Sequence, residues 1–202
     1  MTKIFRNSYI AIVLSLILSI FSFSAFAKGK LTLYCSVEID VCEMLVQAFE
    51  KETGINVAMT RKSSGETFAQ IKAEGSNPKG DVWFGGTGDP HLTASQEGLT
   101  QEYKSKHFDD LLPAAQQQAI NGNYRTVGIY VGALGYGYNH ELIASKGLPE
   151  PTSWEDLTNP VYKGEIQVAN PNSSGTAYTT LATILQIFGE EKGWEYMKKL
   201  HQ

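Results

Sequence analysis

Two short strings of one kind, Ser63-Ser64-Gly65 and Ser173-Ser174-Gly175-Thr176, stand 110 residues apart in a chain of 202. Each follows a stretch with strand composition (residues 55–60 and 165–169) and precedes one with helical spacing. Hydroxyls and a glycine at a helix start can serve two purposes. They cap backbone N–H groups that have no partner inside the helix. They also leave N–H groups and the positive end of the helix dipole open to an anion such as phosphate. The two starts could form opposite walls of one cleft, and they are not equal. Glu66 follows Ser63 at the spacing of a capping box, which puts a carboxylate at the first start. No acidic residue occurs from Ser173 through Phe188. The phosphate is therefore assigned to Ser173, Ser174, Gly175 and Thr176, with a lighter, hydroxyl-contacting role for Ser64 and Gly65.

Other chemistries find little support. No nucleophile–base–acid set is visible, and His91, His107, His140 and His201 are scattered without metal-ligand spacing. The glycines at 132, 135 and 137 have the wrong spacing for a dinucleotide fingerprint, and Gly85 to Gly88 lacks the Lys-Ser/Thr ending of a P-loop. The expectation is a binding protein with no catalytic residues, no cofactor and no metal. Cys35 and Cys42 fall at the end of the first strand and in the first turn of the first helix. They are either a disulfide pair or two ordinary buried thiols.

The positioning elements alternate. Residues 31–35, 55–59 and 81–84 read as strands. Helical patterns follow each of them, with Gly54 and Gly98 placed to end two of those helices. Such alternation implies an α/β architecture, a parallel sheet with helices on both faces. Ligands in these sheets bind beyond the carboxyl ends of the strands. Those ends carry Ser36, Ser64 with Gly65, and Thr87 beside Gly85 and Gly86, so these join the candidate ligand-binding residues. Residues 127–139 form a long extended run in which glycines alternate with Tyr130, Tyr136 and Tyr138, and read as a hinge strand crossing between lobes. Thr152 with Glu155 reads as a capping box, Trp154 as packed against its lobe, and residues 165–169 as a further strand. The chain stops inside an apparent helix, at residues 190–202, and reads as the front portion of a longer molecule.

The first 27 residues have the pattern of a secretory signal. Lys3 and Arg6 precede an apolar run at 10–23, and Ala25-Phe26-Ala27 is a cleavage site before Lys28. Cleavage after Ala27 would leave 175 residues and, because Lys3 and Arg6 are the only charges removed, take the net charge from −4 to −6. Nothing in that balance suggests nucleic acid as a partner. The organisation expected is a signal peptide at 1–27, a first α/β lobe at 28–127, a hinge strand at 128–139 and the start of a second lobe at 140–202.

Several segments in this order resemble the substrate-binding proteins of bacterial ABC importers, in the branch related to ferric-iron-binding proteins. They are Leu33-Tyr34-Cys35-Ser36, Ala48-Phe49-Glu50-Lys51-Glu52-Thr53-Gly54-Ile55, Lys79-Gly80-Asp81-Val82-Trp83-Phe84, Pro151-Thr152-Ser153-Trp154-Glu155-Asp156-Leu157 and Asn170-Pro171-Asn172-Ser173-Ser174-Gly175-Thr176. The Gly-Gly-Thr-Gly-Asp-Pro and Arg-Lys-Ser-Ser-Gly-Glu segments look most like the AfuA-type subgroup, which binds hexose phosphates. The resemblance implies a type 2 periplasmic binding fold, whose two lobes close on a ligand around hinge crossover strands, with the second lobe incomplete here. It implies a monomer in the periplasm that captures a sugar phosphate or phosphonate and hands it to an inner-membrane permease. Iron binders of this branch commonly place a His after the first strand and a Glu after the third. This chain has Glu38 at the first place and Gly86 with Thr87 at the second. Ser36, Ser64 and Thr87 are neutral hydroxyls, whereas ferric iron wants anionic oxygen. The alternatives are a ferric-iron-binding protein and, from another class, a secreted hydrolase acting on organophosphates.

Overall fold

The computed structural model describes residues 29–202, so the signal-peptide reading lies outside the described residues. Strand β1 (Lys30–Cys35) is the middle of a three-stranded parallel sheet, flanked by β2 (Asn56–Arg61) and β3 (Val82–Phe84) in the order β2-β1-β3. Tyr34 lies opposite Thr60 on one side and Trp83 on the other. Between the strands run helix α1 (Ile39–Thr53) and helix α2 (Ser64–Glu74), and α3 (Gly88–Gln96) follows β3. The alternation of strand and helix read from the sequence is therefore the observed fold.

The core follows from side-chain period. Leu33, Cys35 and Cys42 are buried together, with Leu31, Val37, Val46, Val57, Met59 and Phe84 packed around them. Cys35 and Cys42 are joined as a disulfide, both without solvent exposure, across a Cα–Cα distance of 6.2 Å. Helix α1 ends where Gly54 takes a left-handed φ of 71° and returns its N–H to the Glu50 carbonyl, a conformation costly for any residue with a Cβ.

The remaining residues form a second group of elements. Helix α4 (Pro113–Asn121) packs on α3. Beyond the crossover come α5 (His140–Ser145), two short 3-10 turns at Glu155–Thr158 and Pro160–Tyr162, then α6 (Gly175–Phe188) and α7 (Glu190–Leu200). Ile184 of α6 is fully buried, and Phe188 stacks on Tyr196 at 5.1 Å. Tyr196 donates its hydroxyl to the Trp154 carbonyl at 2.6 Å, and burial pushes its phenol up to about 12. Trp154 meets Tyr136 edge-on, as a packing residue should.

Three expectations are corrected. Residues 165–169 form no strand, and residues 127–139 run as extended chain without a ladder. A strand exists only through its neighbour, and neither stretch has a pairing partner among the described residues. The helix start after Pro151 is capped one residue later than Thr152 and Glu155 suggested. Asp156 accepts from the Thr152 N–H (2.8 Å), the Thr152 hydroxyl (3.0 Å) and the Ser153 N–H (3.0 Å), and donates its own N–H to Ser153 Oγ. The tight 3-10 turn brings the carboxylate at 156, not the one at 155, back onto the entering chain.

Candidate ligand-binding cleft

The three strands end at one place, and a cleft of about 710 Å³ opens there. Its first wall is built by Ser36, Val37 and Glu38 after β1, by Arg61 at the end of β2 with Ser63 and Ser64 after it, and by Gly86 to Asp89 after β3. The crossover adds Tyr130 to Leu134, and the opposite wall is Ser174, Gly175, Thr176 and Thr179. Four helices, α1, α2, α3 and α6, therefore begin on this cleft. For α1, α2 and α3 that placement follows from parallel strands, whose carboxyl ends all hand over to helix N-termini on the same side.

Of the eight residues nominated from sequence, Ser36, Ser64, Thr87, Ser174, Gly175 and Thr176 line the cleft, whereas Gly65 and Ser173 do not. Those two engage each other: the Gly65 N–H donates to the Ser173 carbonyl at 3.0 Å. The Ser36 hydroxyl is buried and already committed, accepting from Trp83 Nε1 at 2.9 Å and sharing a hydrogen bond with Thr67 Oγ1 at 3.1 Å. Ser64 Oγ accepts the Thr87 N–H at 3.1 Å, which leaves its own proton to give. Thr87 Oγ1 is shielded from solvent and has no partner among the described residues.

The two Ser-Ser-Gly helix starts differ as their sequences imply. At α2, Glu66 accepts from the Ser63 hydroxyl at 2.7 Å and the Ser63 N–H at 3.1 Å, and these bonds hold its carboxyl below the ordinary carboxylate range. At α6, Ser174 Oγ accepts the Ala177 N–H at 3.3 Å, and the first turn holds no acid. The N–H groups of Gly175 and Thr176 have no acceptor among the described residues. Gly175 packs so closely on Thr87 that a Cβ there would run into Thr87 Oγ1. The orphaned hydroxyl and the open helix start are thus immediate neighbours.

Residues 84–202 match the bacterial extracellular solute-binding protein family. The chain belongs to that family. It is 43% identical, with a TM-score of 0.82, to the periplasmic binding protein AfuA from Actinobacillus pleuropneumoniae, a structure with fructose 6-phosphate bound, covering 87% of this chain and 55% of that one. It is 44% identical, with a TM-score of 0.81, to the periplasmic binding protein P5PA, covering 85% of this chain and 55% of that one. An uncharacterized protein of Haemophilus influenzae is 45% identical over 179 residues, which are 88% of this chain and 52% of that protein. The chain thus spans about half the length of the relatives it matches.

The cleft also contains residues passed over in the sequence. Arg61 is the only cation among its lining residues. Its Nε donates to the Val37 carbonyl at 2.9 Å, which fixes the guanidinium while its other N–H donors meet no acceptor among the described residues. Glu38 and Asp89 line the same cleft as carboxylates with no cationic partner among the described residues, so the wall offers acceptors as well as donors. Tyr130 reaches from the crossover and makes a reciprocal pair with Gly86, its hydroxyl donating to the carbonyl at 2.9 Å and accepting the N–H at 2.8 Å. Gly86 has a φ of 90° and leaves no room for a Cβ against Ser64 Oγ, so only glycine fits this turn. Among the described residues no group of three His, Cys, Asp or Glu is arranged to hold a metal ion.

His91 braces the same turn from behind. Its ring stacks on Trp83 at 3.6 Å, and Nε2 lies 2.8 Å from the Gly85 carbonyl. Burial pushes its pKa below the ordinary value of 6.5, with the Gly85 bond opposing. A base depressed in the folded state is protonated first in the unfolded chain. Its contribution to stability is therefore complete above about pH 6.5 and is lost as pH falls below that value toward the folded pKa. Urea midpoints measured from pH 7.5 down to 5 should fall more steeply for the parent than for His91→Gln; parallel curves would remove His91 from this account.

Proposed function

We propose that the chain is the solute-capturing component of an ABC importer, binding a small phosphorylated organic solute, a sugar phosphate before a phosphonate, between its two walls. The carrying observation is that the partnerless Thr87 hydroxyl lies beside the open Gly175 and Thr176 N–H groups of α6, in a cleft whose lining also includes one guanidinium, that of Arg61. All are donors, and a phosphate offers only acceptors. Phosphate oxygens would be held by Ser174, Gly175, Thr176 and Thr87, with Arg61 supplying the charge. Glu38 and Asp89 would accept hydroxyl protons from the sugar, a role that a bare anion would leave unfilled. Fructose 6-phosphate, the ligand in the AfuA structure, has both halves of this chemistry. Ser36 keeps its sequence-derived place in the site as a brace for the wall. Gly65 and Ser173 act on the ligand only through the elements they hold.

The reading implies binding without turnover, export to the periplasm with cleavage after Ala27, a monomer, and delivery of the loaded form to an inner-membrane permease. Ferric iron is disfavoured by the same donors: hydroxyls and N–H groups are poor partners for a hard cation.

Calorimetry on the exported protein with fructose 6-phosphate, inorganic phosphate, 2-aminoethylphosphonate and ferric citrate tests the choice. Sugar phosphate should bind most tightly. Ferric affinity with no response to the phosphorylated solutes would overturn it. Arg61→Gln should weaken sugar-phosphate binding by about ten- to a hundredfold, the range of one charge-assisted hydrogen bond. Binding of the variant should also depend less on salt than that of the parent.

A further inference from the structure

The two Ser-Ser-Gly strings, read from sequence as two separate helix starts, touch each other. Ser63 Oγ donates to the Ser173 carbonyl at 2.5 Å, and the Gly65 N–H donates to the same oxygen at 3.0 Å. The Ser63 hydroxyl also lies 2.7 Å from Glu66, so its single proton is shared between that carboxylate and the Ser173 carbonyl, while the Gly65 N–H is given to Ser173 alone. The receiving carbonyl is presented rigidly. Ser173 N and Ser174 N both donate to the Asn170 carbonyl, and Asn172 N donates to Asn170 Oδ1. The approach is close enough that a Cβ on Gly65 would stand 2.5 Å from the Asn172 carbonyl oxygen and 2.7 Å from that of Ser173.

We propose that Ser63 and Gly65 are positioning residues for the opposite wall: together they form a latch that grips the Ser173 carbonyl and sets the α6 helix start over Thr87. The Gly65 N–H at the start of α2 takes a main-chain oxygen from the other wall in place of a ligand anion. Ser173 immediately precedes Ser174, the cap of α6, so holding its carbonyl fixes the direction in which the Gly175 and Thr176 N–H groups point. The latch consists of protein groups alone, so it biases the two walls toward the closed arrangement before any solute arrives. Solute then binds a cleft already partly assembled, which raises apparent affinity. This deepens the solute-capture reading and rests on it.

The test uses the full chain with spin labels on Glu52→Cys and Lys163→Cys, both exposed sites on opposite sides of the crossover. The two native cysteines are joined to each other, so labelling is specific. Inter-label distances are measured without solute. Gly65→Ala should shift the distribution to longer separations. Its thermal midpoint should stay the same or rise, because alanine is the better helix former at a position with ordinary φ. Affinity for fructose 6-phosphate should fall by about tenfold. Ser63→Gly, which keeps a good cap but loses the hydroxyl, should shift the distances less, and Ser63→Thr should restore the parent distribution. A Gly65→Ala distribution that coincides with the parent overturns the latch. Should Gly65→Ala lower the thermal midpoint, the Ser63 pair decides, and equal distributions for Gly and Thr at 63 overturn it. Failure of the parent itself to bind fructose 6-phosphate would count against the solute reading alone, since the distances are read in its absence.

Discussion

Thr176→Glu is expected to abolish capture of a phosphorylated solute and to leave the fold intact. Thr176 is an exposed residue in the first turn of α6 and lines the cleft. A carboxylate in a first helical turn is stabilising in itself, by about 0.3–1 kcal/mol, so the helix should persist or strengthen. The same carboxylate would occupy the open N–H groups and repel the incoming phosphate. Two like unit charges about 4 Å apart near a protein surface cost about 4 kcal/mol, roughly a thousandfold in affinity. Solvent at this exposed position screens part of that, which leaves an expected loss of at least about a hundredfold. Thr176→Gln, neutral and similar in size to the glutamate, should cost less than about tenfold. Calorimetry with fructose 6-phosphate measures the loss, and thermal unfolding checks the fold. An affinity unchanged by glutamate would remove the phosphate from this helix start.

Reduction of the Cys35–Cys42 disulfide should give the largest stability change available without altering the sequence. The bond closes a short loop, seven residues apart in sequence, between the end of β1 and the first turn of α1. For a loop of that size the chain-entropy account gives about 2–3 kcal/mol. A domain of this length should then lose roughly 5–10 °C in thermal midpoint when reductant is added. The effect should also reach the site. Ser36, Val37 and Glu38 lie inside the closed loop and form the wall after β1, and Val37 supplies the carbonyl that fixes Arg61. Affinity for a sugar phosphate should therefore fall with reduction even at temperatures where the protein stays folded. Identical melting curves with and without reductant would show that the cross-link adds nothing.

What was legible in the sequence was what neighbouring residues decide among themselves. The Ser63–Glu66 box is observed as read, because its partners are three residues apart and a helix start brings them together whatever lies beyond. Gly54 ends α1 because only its backbone accepts the left-handed turn there. The first three strands could be read because each is a short apolar run followed by a helical period. Residues 165–169 have the same composition and form no strand, because composition cannot supply the neighbour that a strand needs. Arg61 was overlooked as a site residue for a related reason. The last residue of a strand can point to either face, and only the sheet register and the Val37 carbonyl aim this one into the cleft.

The sequence by itself determined that the two helix starts differ, since one carries its own carboxylate and the other carries none across its whole first turn. It also determined which loops would be polar and able to approach a ligand. Only the tertiary structure decided what each start does with its unpaired N–H groups. At the α2 start the Ser63 N–H goes to Glu66 and the Gly65 N–H to the carbonyl of Ser173, 110 residues away from Ser63. Those of α6 remain open beside a buried hydroxyl with no partner. The physical reason is the range of the forces involved. Capping bonds close within one helical turn and are fixed by local spacing. A bond between distant segments depends on how the sheet, the crossover and two helices place their ends, which no local pattern of residues encodes.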